Sequence, residues 1–134
     1  MLASGLPEHI ADDEHLARFL FQSNQFKAAE VKSSAFMPHR QSQETSVFRH
    51  GVTPLETLWA LAGVAGAQRK VYGAAILTAR QVRAVALDLM ADEPPARHAA
   101  IRGWPSVADP ELQKALQLEC AKLLAQAAGR PFLK

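Results

Sequence analysis

Hydrophobic and polar positions switch between two spacings along the chain, and the switches outline its elements. Leu16, Phe19 and Leu20 recur at helical spacing behind Asp12-Asp13, both good N-cap types. Glu14 adds negative charge where a helix dipole favours it, so the spacing predicts a short helix over 13–22, ended by Ser23-Asn24-Gln25. Val31, Ala35, Phe36 and Met37 predict a strand within 28–37, which Pro38 either ends or confines to a sheet edge. Residues 39–45 are wholly polar and read as an exposed loop, and 46–49 reads as a second short strand closed by His50-Gly51.

Thr53-Pro54-Leu55-Glu56 carries a capping-box spacing with proline at the first helical position. Leu55, Leu58, Trp59 and Ala62 then share one face, which predicts a helix over 54–66. Val71 to Leu77 reads as a third strand. Thr78 with Gln81 repeats the capping-box spacing, so one helical turn is predicted over 79–84. Val85, Leu87 and Leu89 alternate with Ala86, Asp88 and Met90, as in a strand with one buried face. Residues 91–108 hold three prolines, a glycine and Trp104 and read as a long ordered loop. Asp109-Pro110-Glu111 opens a last helix, ended by Gly129 and Pro131. Its apolar positions Leu112, Leu116, Cys120, Leu123, Leu124 and Ala127 are expected to face the core, with Leu118 off that stripe.

A chain of 134 residues, 49% hydrophobic and 21% charged, suits a single globular domain over 1–134, with 1–10 expected to be flexible. The single cysteine, Cys120, excludes an internal disulfide. The first residues lack the basic start and apolar run of a signal peptide, and no apolar stretch approaches the ~20 residues of a membrane span. A cytoplasmic location and no membrane partner are expected. The net charge of +2 hides an acidic start and a mildly basic middle. That bias permits an anionic ligand but lacks the dense basic stripe of most nucleic-acid binders.

The usual local signatures of chemistry are absent. There is no phosphate-binding glycine loop, dinucleotide fingerprint or nucleophile elbow. The five histidines and one cysteine have no zinc-ligand spacing, so no metal and no cofactor are expected. Cys120 reads as a small buried hydrophobe rather than a reactive thiol. Two pairs stand out: Arg49-His50 at a predicted strand end and Arg97-His98 in the proline-rich loop. Guanidinium groups can bind phosphate bidentately, and imidazole exchanges protons near neutral pH. Converging, the pairs would place Arg49, His50 and Arg97 on an anion or nucleic acid, with His98 as the catalytic candidate. The plainer reading is four solvated loop-edge residues. Trp104, between Gly103 and Pro105, either clamps the loop onto the core or anchors a protein interface.

Ser34-Ala35-Phe36-Met37-Pro38, Ser46-Val47-Phe48-Arg49 and His98-Ala99-Ala100-Ile101-Arg102-Gly103-Trp104-Pro105, in that order, resemble a group of small uncharacterised bacterial proteins. The resemblance runs from about Arg18 to the last helix, and its most specific part is the stretch from His98 to Pro105. It implies a bacterial, single-domain, cytosolic protein and no catalytic assignment.

The expected fold is α+β: a small sheet of about four short strands covered on one face by two main helices, plus a short N-terminal helix. The expected function is a non-enzymatic protein-binding module, accessory or regulatory to a larger protein. The alternative is a phosphate- or nucleic-acid-directed protein, extending to an RNA-acting enzyme. A cleft containing both Arg-His pairs would favour the alternative, and a flat apolar patch around Trp104 the first.

Overall fold

The computed structural model describes residues 2–50, 55–66 and 69–134. In chain order its elements are β1 (His15–Leu20), β2 (Phe26–Lys27), β3 (Glu30–Val31), β4 (Thr45–Arg49), α1 (Leu55–Gly66), β5 (Gly73–Thr78), α2 (Ala79–Ala84), β6 (Asp88–Ala91), β7 (His98–Arg102), α3 (Pro110–Ala128) and β8 (Phe132–Leu133). The fold is mixed α+β. Among the described residues its main sheet has six strands, not about four, in the order β6-β7-β4-β1-β5-β8, each pair antiparallel.

The residues expected to form an N-terminal helix are instead β1, deep in the sheet between β4 and β5. Leu16 and Leu20 bury one face while Ala17 and Phe19 bury the other. A strand buried on both faces shows no alternation of apolar and polar residues, so its apolar run imitates a helix. The expected loop over 91–108 likewise contains β7, paired on both sides, with Ala99, Ala100 and Ile101 all buried. The strand expected within 28–37 shrinks to Glu30–Val31, in a small hairpin with β2, followed by a 3-10 turn at Ser33–Ala35.

Both faces of the sheet are covered, not one. α2 and α3 pack with Leu16, Val47, Leu77 and Ile101 on one face. On the other, Leu58 and Ala62 of α1 pack against Ala17, Phe19, Phe48 and Ala74. The cap residues predicted for α1, Thr53 and Pro54, lie outside the described residues. The capping box of α2 forms as the spacing predicts: Gln81 N donates to Thr78 Oγ1, and Thr78 N to Gln81 Oε1. At α3, Asp109 Oδ1 accepts from Glu111 N at 3.0 Å. Gly129 at its end has φ 66°, a left-handed conformation that glycine adopts without a Cβ penalty.

α3 is turned by about one residue from the expected orientation, roughly 100°. It buries Gln117, Ala121, Leu124 and Ala125. Leu112, Leu116 and Leu123 are 49%, 37% and 47% exposed. Small Ala121 and Ala125 bring the helix close to the sheet, and the Gln117 amide is satisfied by Gln43 Oε1 at 2.7 Å and Pro105 O at 2.9 Å. Within residues 2–10, the described part of the segment expected to be flexible, several contacts reach the rest of the domain. Ile10 is in the core, Arg83 Nη2 donates to its carbonyl, and Ser4 N donates to Glu93 Oε1.

Candidate functional site

The sheet brings the two Arg-His pairs together along the backbone, because Phe48 on β4 pairs with His98 on β7 and Arg49 N donates to Arg97 O at 2.8 Å. Their side chains then diverge. Side chains alternate across a strand, so Arg49 and Phe48 point to opposite faces. Arg49 is 1% exposed and engaged at each of its three nitrogens: Nε and Nη2 hold the Glu14 carboxylate, and Nη1 donates to Pro7 O at 2.7 Å. It ties the N-terminal segment to the sheet, and its burial keeps it from a ligand. Arg97 Nη1 donates to Arg49 O at 2.9 Å. His50 and Arg97 border a separate shallow groove with Leu61 and Val64 of α1. Burial, with the charges of His15 and Arg97, lowers the His50 pKa below its ordinary value. Trp104 is 6% exposed, and its indole Nε1 donates to Ile101 O at 3.1 Å. Its burial supports the clamp reading and leaves no exposed ring to anchor a partner.

His98 lies on a different feature, a cleft of about 420 Å³ at the split between β1 and β4. These strands pair only at Leu16–Arg49 and Ala17–Phe48. Beyond that the ladder opens, and Arg18 spans the gap, with Nε donating to Ala35 O at 2.7 Å and Nη1 to Ser46 O at 2.9 Å. A row of rings lines the cleft. Phe19 is 6.4 Å from Phe21 and 5.8 Å from Phe48, and Phe48 is 5.3 Å from His98, measured between ring centroids. Arg69, after α1, stacks over Phe21 at 4.0 Å. Gly66 allows this arrangement: a Cβ there would lie 2.5 Å from Phe21 Cε1.

The cleft is electropositive. Among the described residues no carboxylate lies within ion-pair distance of Arg18 or Arg69. Burial, followed by the charge of Arg69, lowers the Arg18 pKa to about 10, so Arg18 stays cationic at neutral pH. Glu44 also borders the cleft, but its carboxylate is paired with Arg102 at 2.9 Å. Such a pair of cations with open hydrogen-bonding capacity can take a phosphate or a carboxylate.

Ser46 completes the geometry. It pairs with Ala100, which places it diagonally from His98 on the same face. Its Oγ is 3.0 Å from His98 Nε2, while His98 Nδ1 is 2.7 Å from Asp92 O and 3.4 Å from Asp92 Oδ2. A carbonyl oxygen only accepts, so Nδ1 carries the hydrogen, and in the neutral ring Nε2 accepts from Ser46 Oγ.

Sequence reasoning singled out His98 but missed Arg18, Ser46 and Arg69. An arginine inside the apolar run Leu16–Leu20 was the available signal for Arg18. Ser46 opens one of the stretches that carry the resemblance, and His98 opens another. Among the described residues, no group of three His, Cys, Asp or Glu side chains is placed to hold a metal, and no helix is long and apolar enough to cross a membrane. No family model matches the chain, and neither a curated protein nor a solved structure matches it at a significant level.

Proposed function

We propose that this domain binds a small organic anion, of the phosphate or carboxylate class, in the cleft between β1, β4 and the end of α1. The observation that carries this reading is the placement of Arg18 and Arg69 on one cleft with, among the described residues, no carboxylate within ion-pair distance of either. Phe21 and His98, the half-buried rings at the two ends of that row, suit an apolar or aromatic body attached to the anion, with Phe19 and Phe48 buried behind them. This is the phosphate-directed alternative of the sequence reading, moved from Arg49 and Arg97 to Arg18 and Arg69. The test is calorimetric titration with phenyl phosphate, inorganic phosphate and a short RNA at low and moderate salt. Phenyl phosphate should bind more tightly than inorganic phosphate, and Arg69→Ala should weaken it about tenfold, the equivalent of about 1.4 kcal/mol. Absence of phenyl phosphate binding at low salt, where screening is weakest, would overturn the reading. Tighter binding of RNA than of phenyl phosphate, lost in Arg69→Ala, would turn it toward nucleic acid.

A second reading, the protein-binding accessory module, is favoured by the exposed Leu112, Leu116 and Leu123, which lie along one side of α3. A partner with an apolar helix would suit that stripe. Leu116→Glu with Leu123→Glu should then abolish association with such a partner while leaving the melting temperature unchanged. The bacterial origin and cytosolic setting expected from the sequence belong to either reading. The single thiol supports the cytosolic setting, since a secreted domain of this size more often carries paired cysteines.

A further inference from the structure

The geometry points to Ser46 as a nucleophile, activated by His98, that cleaves an ester whose acyl part carries an anionic group; the choice of substrate rests on the anion-binding reading of the cleft. Three observations support the assignment. Ser46 Oγ and His98 Nε2 are in hydrogen-bond contact at 3.0 Å, within reach for proton transfer. The ring is set in the tautomer that a general base needs, because Asp92 O accepts from Nδ1 at 2.7 Å. Asp92 Oδ2, at 3.4 Å, adds negative charge on the side of the ring away from Ser46. The pair also opens onto a place for a substrate. Ser46 is an exposed residue, the cleft lies against it, and Arg18 Nη1 touches its carbonyl oxygen. Residues from distant parts of the chain thus meet as nucleophile, base, orienting group and cation, the arrangement that recurs on unrelated folds without a shared sequence motif.

The chemistry balances with water as the only co-reactant. Ser46 Oγ bonds to the ester carbonyl carbon while its proton passes to His98 Nε2. The tetrahedral species then breaks its bond to the leaving alcohol oxygen, which takes that proton. Water attacks the acyl carbon and gives a proton to His98 Nε2. Departure of Ser46 Oγ, reprotonated by His98, releases the acid. The net change is ester plus water to acid plus alcohol, with no oxidation or reduction. Arg18 and Arg69 hold the anionic group of the acyl part.

A neutral fluorophosphonate, which modifies activated serines with loss of fluoride, tests the nucleophile independently of the anion site. Peptide mass analysis should locate one adduct, on Ser46. Ser46→Ala should abolish it, and His98→Gln should slow it about 100-fold or more. Ser46→Ala removes only an exposed hydroxyl, so it remains decisive if His98→Gln does not fold. No adduct, an adduct elsewhere, or an unchanged rate in folded His98→Gln would overturn the assignment, whatever phenyl phosphate does. Release of nitrophenolate from mono-4-nitrophenyl glutarate and from 4-nitrophenyl acetate then tests the substrate class. The anionic ester should be preferred, and Arg69→Ala should remove that preference by raising KM. A Ser46 adduct without that preference would overturn the substrate class and leave the nucleophile standing. Asp92 is a positioning residue: Asp92→Asn should lower kcat about tenfold at constant KM. A change in KM alone would remove it from the arrangement.

Discussion

Arg49 grips the Glu14 carboxylate with two hydrogen bonds, Nε to Oε1 and Nη2 to Oε2, each 2.8 Å long. Partial burial works against ionising Glu14, but the bonds from Arg49, the Ala11 N–H and the nearby positive charge outweigh it and hold the carboxyl below its usual 4.5. A carboxyl with a lowered folded pKa contributes stability that is fully present above 4.5 and is lost as pH falls through the folded value. Glu14→Gln leaves the Arg49 charge buried against carbonyl oxygens alone. Because Glu14 is 21% exposed, solvent screens the pair, and the expected cost is about 2 kcal/mol rather than the larger figure for a fully buried pair. Urea unfolding of both proteins at neutral and strongly acidic pH checks this. The difference should be present at neutral pH and close in acid; equal midpoints at neutral pH would show that the pair contributes nothing.

His50 gives a second pH dependence, at a higher pH. Burial, then the charges of His15 and Arg97, lower its pKa from 6.5, and the His15 ring stands edge-on at 5.9 Å. The unfolded chain therefore takes up a proton first, so this contribution is complete above 6.5 and is lost as pH falls through the folded value. Thermal melts should show stability declining below about pH 6.5 and a shallower decline in His50→Leu. An identical slope in the two proteins would mean that the titrating group lies elsewhere.

Trp104 decides whether the stretch after β7 is held by packing. Its ring is buried and its Nε1 donates to Ile101 O at 3.1 Å. Trp104→Ala should cost about 3–5 kcal/mol, and Trp104→Phe less, since it keeps most of the ring volume and loses the hydrogen bond from Nε1. Chemical denaturation measures both. A wild-type midpoint for Trp104→Ala would contradict the burial of the ring.

Cys120 is half-buried against the core, and burial followed by the Glu119 charge raises its thiol pKa. The thiol is therefore protonated at neutral pH and a poor nucleophile. Reaction with a disulfide reagent should be slow in the native protein and fast after unfolding. Equal rates would show that α3 leaves the thiol open.

Elements whose ends are set by local chemistry were legible in the sequence. The Thr78–Gln81 box and the Asp109-Pro110-Glu111 start act between atoms a few residues apart, so residue type and spacing were enough to place α2 and α3. The strand at 46–49 and the helix ending at Gly66 were legible for a similar reason: turn or polar residues mark their limits. β1 and β7 were not, because burial on both faces removes the alternation that identifies a strand, and only pairing with distant segments makes them strands at all. The same limit applies to the site. Sequence singled out His98 as a proton-transfer candidate. The register of β4 and β7 set Ser46 beside it, and the parting of β1 from β4 opened the cleft that Arg18 spans. The fate of Arg49 was likewise tertiary: a guanidinium binds whichever acceptors the fold supplies, and here these are Glu14 and the carbonyl of Pro7, met where the side chain is buried away from any ligand. Residue type sets what a side chain can do, and long-range strand pairing selects which partners it meets.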